Sequence, residues 1–393
     1  MSRKSDDDNL QVRFVESINE IDVQAWNFLV GNESPFLRHE FLLALEQTGC
    51  TIRSTGWQPY HAVVTESASD IDDDCELLAV LPLYLKYNSF GEYVFDWSWA
   101  DAYQANDLDY YPKLLTAIPF TPSQSARILH REEVPLDKVV KALCGAIQAE
   151  AAQQGVSSWH VLFPTAQESE ILARLSIPRR IGCQFHWFNR GYSDFENYLS
   201  ALSSRKRKNI RKERNLVSKQ GIQFDVVEGP EISERQWKHF YIFYQSTYLV
   251  RGREGYLSQE LFLQIGETMA ESLVLILAKI ENQIIAGALF FKGDGKLFGR
   301  YWGSLDEYQF LHFETCFYQG IDYCIQNGLQ QFDAGAQGEH KIQRGFEPVV
   351  TYSNHWIANE TFSNAINDFL EKETRYIERY IADAAKLLPF KKG

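Results

Sequence analysis

Nine residues toward the carboxyl end, GEHKIQRGF from Gly338 to Phe346, bring together a carboxylate, an imidazole, an ammonium and a guanidinium in Glu339, His340, Lys341 and Arg344. Lys341 and Arg344 suit a developing oxyanion or a substrate phosphate, and Glu339 or His340 can take up a proton. The plain alternative is an exposed loop of ordinary polar composition. Its position just past Asp333, at the end of the short strand read in LQQFDAG, favours a site, because clefts form where strands end. Asp333 itself either joins the chemistry or caps the backbone of the loop. Tyr301 and Trp302, in KLFGRYWGS, can pack sugar or base faces or belong to the core.

A second group of residues carries charge instead of chemistry. The chain has 39 Lys+Arg against 52 Asp+Glu, a net −13, yet Ser204 to Lys219 holds eight basic residues and one acid, Glu213. At 100° per residue Leu199, Leu202, Ile210 and Val217 share one arc, which predicts an amphipathic helix over 203–220 docked by that face. Arg207, Arg211 and Arg214 form one stripe, and Lys208, Lys212 and Lys219 with Arg205 a second. Like charges at i,i+4 repel, so a solvated face is a poorer reading than a surface for an anionic partner, most simply phosphate.

Other chemistries find little support. There is no H-E-x-x-H or C-x-x-C, and HFETC lacks the downstream P-C-x-x-C of zinc deaminases, so no metal is expected. GDGKLFG links two apolar runs and reads as a hairpin turn, not a dinucleotide fingerprint, and no G-x-S-x-G is present. The six cysteines are scattered and read as reduced thiols. No apolar run reaches the roughly 18 residues of a membrane span, and MSRKSDDDN reads as a disordered lead without a signal sequence. A cytoplasmic protein is expected.

The elements that must position these residues are clearest in the second half. LVLILAKI, QIIAGALFFK and KLFGRYWGS predict an antiparallel meander, followed by a helix over HFETCFYQGIDYCIQNG with Phe313, Phe317, Ile321 and Cys324 on one face. Strands LQQFDAG and VVTYSNHWIA complete a β-β-β-α-β-β order, and helices near Glu234–Tyr248 and Gln259–Glu271 precede it. The first half offers a looser version: strands near Tyr60–Thr65, Leu77–Tyr87 and Tyr93–Trp99, a helix over Leu136–Gln153, then SSWHVLFP and CQFHWFNRG. His-Trp recurs in the last strand of each half, at 186–187 and 355–356. A chain of 393 residues fits two domains, here 1–190 and 191–393, and the expected fold class is α+β.

SSRKRKNIRKERNLVSKQGI resembles the S-K-x-R-x-N-I-R-K-A-x-K-x-G-V segment of the FemABX peptidoglycan-bridge aminoacyltransferases, with Arg207, Asn209, Ile210, Arg211, Lys212 and Gly221 at matching places. FDAGAQGEHKIQRGFEP resembles that family's closing D-x-G-G and K-x-x-F-x-P region. SPFLRHEFL, LPLYLK, LHFETCFYQGIDYCI and GEHKIQRGFEP are similar to Fem-like peptidoglycan biosynthesis or recognition proteins of the N-acetyltransferase (GNAT) superfamily. The resemblance implies two tandem GNAT-like domains, each a mostly antiparallel sheet flanked by helices. It also implies aminoacyl-tRNA as acyl donor and an amine of a cell-wall precursor as acceptor, with no cofactor. It adds Arg38 and His39 as substrate-binding candidates, which otherwise cap and dock the first helix. On this reading Lys341, His340, Glu339 and Asp333 are catalytic, Arg344, Tyr301 and Trp302 bind substrate, and Arg207, Lys208, Arg211, Lys212 and Arg214 hold phosphates. The chain departs from the family in lacking a long coiled-coil arm and in having Ala336 for the second Gly of D-x-G-G.

Two rivals remain open. A CoA-dependent N-acetyltransferase needs a glycine-rich anion loop after the third meander strand. GSLDEYQFLHFE offers Asp306, Glu307 and Glu314 there instead, and the first half offers ADAYQANDLDYY. The other rival is a non-catalytic module binding nucleic acid or peptidoglycan fragments through the basic helix.

Overall fold

The computed structural model describes residues 10–32, 34–66, 76–336 and 338–391; the lead expected over the first nine residues, and Cys75, lie outside the described residues. The chain begins with β1 (Leu10–Val15), α1 (Val23–Val30), α2 (His39–Gln47), β2 (Trp57–Pro59), β3 (His61–Glu66), β4 (Leu77–Leu81), β5 (Tyr84–Lys86) and α3 (Trp97–Gln104). It continues with β6 (Lys113–Thr116), β7 (Leu129–His130), α4 (Leu136–Gln154), β8 (Ser158–Leu162), α5 (Ala166–Arg174) and β9 (Arg179–Phe188). Then follow α6 (Phe195–Ala201), α7 (Ser204–Lys219), β10 (Gln223–Glu228), α8 (Glu234–Leu249), α9 (Gln259–Thr268), β11 (Leu273–Ile280), β12 (Gln283–Gly293) and β13 (Lys296–Ser304). The last part has α10 (Leu311–Phe313), a π-helical turn (Glu314–Tyr318), α11 (Gln319–Gln326), β14 (Gln331–Asp333), β15 (Glu347–Ile357) and α12 (Glu360–Lys386).

The elements form two compact units, one of residues up to Gly182 with Thr351–Ile377, the other of Cys183–Val350 with the residues from Glu378 on. The sequence pointed to a single division after residue 190; the chain instead changes unit within β9 and within β15, so Thr351–Ile377 goes with the first unit. The two His-Trp strands are thereby exchanged. β15, from the second half, pairs Ser353–Ile357 with β8, and His186–Phe188 of β9 pairs with β14.

In the first unit β1, β3, β4 and β7 form an antiparallel sheet, and β2, β5, β6 and β8 line up in a second one. Apolar residues of β3, β4 and α4, among them Val64, Leu81, Leu143 and Ile147, make its core. Two expectations change here. Leu77–Tyr87 is not one strand: Pro82 lacks the N–H to continue a ladder, and the chain breaks into β4 and β5, which pair in different sheets. Tyr93–Trp99 is not a strand either. Asp96 turns its side chain inward to Lys113, its carbonyl accepts the N–H of Trp99 and Ala100, and α3 starts there.

The second unit contains the predicted meander, β11–β12–β13, flanked by β10 on one side and by β14 and β9 on the other. α8 lies directly on β13. A Cβ on Gly303 would sit 1.7 Å from the Phe243 carbonyl oxygen, so only glycine permits the approach. Ser246 and Thr247 of α8 donate to the Ser304 and Trp302 carbonyls at 3.0 and 2.8 Å. Leu199, Leu202, Ile210 and Val217 are all buried, though not on one helix: Leu202 and Ser203 are extended and separate α6 from α7. Among the described residues no helix is long and apolar enough to cross a membrane, and no group of three or more His, Cys, Asp or Glu is arranged to hold a metal ion.

Candidate functional site

Two local irregularities open a cavity in the second unit. In the β12–β13 ladder Leu289 faces Tyr301 and Phe290 faces Gly299, which leaves Arg300 as the extra residue of a bulge. Bulges re-aim side chains in this way. On its other edge β13 pairs in parallel with β14 only through Lys296–Phe298 and Gln331–Asp333. Beyond Phe298, β14 has ended and β13 runs on without it. The gap holds a cavity of about 410 Å³ lined by residues that include Arg300, Tyr301, Trp302, His312, Cys316, Phe317, His340 and Lys341. The π-helical turn carries Cys316 and Phe317 to its wall; such turns occur often at functional sites.

Lys341 sits on a 3₁₀ turn, Glu339–Arg344, and is 2% exposed. Gly338 opens that turn at φ +118°, and a Cβ there would meet the His340 imidazole at 2.4 Å. The Lys341 ammonium donates to the carbonyls of Ala334 (2.8 Å) and Gly335 (2.6 Å). An ammonium has three protons, so one remains for the cavity. Burial pulls its pKa down, Asp333 opposes that, Arg300 adds to it, and the result is about 8. Asp333, 2% exposed, takes a two-pronged contact from Arg300 at 2.6 and 3.2 Å and accepts the Gly335 N–H at 2.9 Å. Burial alone would raise its pKa; Arg300, then His186, hold it well below the carboxylate range. Asp333 thus caps the loop and pairs with Arg300.

His340 is exposed at the cavity wall, its ring 5.4 Å from that of Phe313 and 5.5 Å from that of Phe317. Burial and the charges of Arg344 and Lys341 lower its pKa, which leaves the imidazole neutral and able to accept a proton at neutral pH. Tyr301 is buried, edge-on to Tyr244 and Phe262, while Trp302 is half-buried with its ring 5.5 Å from that of His312.

Several candidate residues have other partners. Arg344 does not line the cavity: it donates to Glu213 and Tyr318 at 2.8 Å each and to the His340 carbonyl at 2.9 Å, and lies 3.6 Å above the Phe313 ring. The single acid of the basic helix therefore anchors the loop from below. Glu339 accepts from Tyr380 at 2.9 Å and is also absent from the cavity wall. In the first unit, Arg38 pairs with Glu40, and buried His39 contacts the Ile18 carbonyl through Nε2 at 3.0 Å. His39 docks α2 onto the Ile18 turn, and the Arg38 pair is local to the start of that helix.

The basic helix is divided in the same manner. Arg214 points inward, bonded to Glu314 and Asp322 and 4.1 Å above the Phe195 ring, and is not placed to meet phosphate. Glu314 is consequently 3% exposed and bound to Arg214, not presented at the start of the helix after β13. Arg211 is exposed and paired with Glu196; Arg205, Lys208 and Lys212 are exposed; and Arg207 is half-buried beside Ser204. Arg300, Arg251, His312 and Cys316 line the cavity without having been singled out for it from the sequence. A charged residue inside the apolar strand LFGRYWG was the available signal for Arg300.

The family model of FemAB-like proteins, described as peptidoglycan biosynthesis/recognition, matches residues 17–392. The chain belongs to this family. The crystal structure of FemX superposes with a TM-score of 0.53 at 12% identity, covering 90% of this chain and 100% of that one. The C-terminal domain of a putative lysylphosphatidylglycerol synthetase from Agrobacterium fabrum superposes with a TM-score of 0.51 at 11% identity, covering 91% and 97%. A tandem GNAT protein from the clavulanic acid biosynthesis pathway matches with a TM-score of 0.45 at 9% identity, covering 88% and 98%. No curated protein matches significantly. This is a Fem-like α+β protein.

Proposed function

We propose that this chain is an N-acyltransferase that moves an aminoacyl group from aminoacyl-tRNA to an amine of a cell-wall precursor in the cytoplasm. The observation that carries the reading is the Lys341 ammonium, held by two carbonyls with one proton left toward a cavity whose described lining includes Arg251 and Arg300 and no carboxylate. Membership of a peptidoglycan family supports the choice of acceptor. The amine nitrogen attacks the ester carbonyl, a tetrahedral oxyanion forms beside Lys341, the C–O bond to the ribose breaks, and the proton lost by the amine ends on the departing hydroxyl. His340, neutral and at the cavity wall, is the group suited to relay that proton. No cofactor takes part. The exposed cations Lys208, Arg211 and Lys212, with half-buried Arg207, meet donor phosphates.

The test compares charged tRNA, acetyl-CoA and a muropeptide as stabilising ligands, since a ligand at 100 times its Kd adds ~2.7 kcal/mol to stability, and then assays transfer with whichever binds. Charged tRNA and muropeptide should both raise the melting temperature, and the aminoacyl group should pass to the muropeptide amine. Saturable micromolar binding of acetyl-CoA would favour an acetyltransferase; binding without transfer would favour a recognition module.

A further inference from the structure

Arg300 is joined to Lys341, and to the loop that carries it, through Asp333. Its guanidinium spans both carboxylate oxygens of Asp333 and donates to the Gly299 carbonyl at 3.0 Å. Asp333 Oδ1 in turn holds the Gly335 N–H, which closes a turn over 333–335. The two carbonyls that this turn presents, Ala334 and Gly335, are the ones that hold the Lys341 ammonium. The bulge places Arg300 at the start of this chain of contacts, because without the extra residue the position after Gly299 would pair with β12.

We infer that Arg300 is the positioning residue of the site: through Asp333 it sets the 333–335 turn, and through that turn the place and protonation of the Lys341 ammonium. The inference rests on the acyl-transfer reading for its purpose, and on the contacts alone for its content. The titratable and charged groups that face Lys341 are Asp333, Arg300, His186, His312, Cys316 and His340. Of these, Asp333 raises the lysine's pKa and Arg300 lowers it, while burial keeps the imidazoles neutral at neutral pH. Exchanging Arg300 therefore moves Lys341 in a known direction. Arg300→Gln leaves the Asp333 charge unopposed and raises the pKa of Lys341. Arg300→Lys keeps the charge but loses the planar fork that spans the carboxylate.

The experiment is competitive trace acetylation with acetic anhydride across pH, read for Lys341 by peptide mass spectrometry on the full chain. Wild type should show half-maximal reactivity near pH 8. Arg300→Gln should move that midpoint upward by about one unit or more. Arg300→Lys should move the midpoint less than Arg300→Gln does, because the charge is kept, and raise the limiting rate several-fold, because the loosened turn exposes the amine. An unchanged midpoint in folded Arg300→Gln overturns the inference. If that variant does not fold, Arg300→Lys decides: wild-type midpoint and wild-type limiting rate together overturn it. The measurement needs no substrate. A shifted midpoint in a protein that transfers nothing would sink the transfer reading and leave the coupling of Arg300 to Lys341 standing.

Discussion

Each unit buries a lysine with a carboxylate and histidines, and the two clusters have opposite characters. In the first unit Lys113 is fully buried between Glu92, at 2.9 Å, and Asp96. Asp96 accepts from Tyr110 at 2.6 Å, Tyr110 contacts His160 at 3.1 Å, and His160 Nδ1 lies 2.8 Å from His355 Nδ1. The Tyr110 hydroxyl donates to the Asp96 carboxylate, His160 Nε2 also contacts the Ser158 hydroxyl at 2.9 Å, and His355 Nε2 contacts the Ser353 hydroxyl at 2.9 Å. Burial pulls the Lys113 pKa down, but Glu92 and Asp96 more than offset it and the pKa rises. In the second unit the carboxylate Asp333 is claimed by Arg300, and among the described residues the acceptors of the Lys341 ammonium are carbonyls. A carbonyl holds an ammonium in place without neutralising it. One lysine is locked into structure, and the other stays titratable beside a cavity.

This contrast can be broken by substitution. The largest effect should come from Lys113→Met, which strands buried Asp96 and costs about 3–5 kcal/mol of stability; chemical denaturation measures it, and turnover per folded molecule should not change. A catalytic loss at constant stability would give the first cluster a role in chemistry. Lys341→Ala should do the reverse, lowering turnover by roughly 10²–10³ with the fold retained. Wild-type turnover on a verified substrate would remove Lys341 from the site. His340→Ala should cost less if the substrate or water carries the amine proton, and more if His340 is the base.

Acid sharpens the comparison further. Burial, then Lys113, lowers the pKa of His160 to about 3, and burial lowers that of His355 well below its usual 6.5. A depressed folded pKa means the unfolded chain binds more protons between pH 6.5 and 3, so this stabilisation is complete above 6.5 and is lost as pH falls. The His160 imidazole contributes about 1.4 kcal/mol per pH unit within that window, and His355 acts in the same direction. Replacing both with Gln should flatten the acid limb of the stability curve accordingly, and an unchanged limb would show that these rings are not neutral when buried. The smallest effect concerns α7. The slope of log K for tRNA against log salt should be about −0.7 to −0.9 per phosphate contact, and replacing Arg207, Arg211 and Lys212 together should flatten it. Arg211 already has Glu196, so it should contribute least of the three.

How far the site could be read beforehand depended on whether a residue's partners were near in sequence. The loop at 338–346 stood out because its polar groups are contiguous, and Lys341 does line a cavity. Arg344 and Glu339 come from the same stretch and read as site residues too, one for substrate and one for catalysis, but on a 3₁₀ turn they leave in other directions, one to Glu213 and one to Tyr380. Arg214 fits a basic stripe by spacing, yet its carboxylates lie about a hundred residues away, at Glu314 and Asp322. Arg300 was passed over because a bulge depends on how two strands register, not on the residues of one.

The sequence by itself determined the elements whose signal is local: the meander with its hairpin turns, the basic helix after Ser203, the helix into Gly328 and the family motifs at both ends of the second half. Alternation, periodicity and turn residues act over a few neighbours, and no distant contact is needed to read them. Tertiary structure decided which charges are neutralised, which strand completes which unit, and where β13 parts from β14 to leave a cavity. Those outcomes depend on groups brought together across a hundred residues or more, where burial raises the cost of an unpaired charge and so selects the partner.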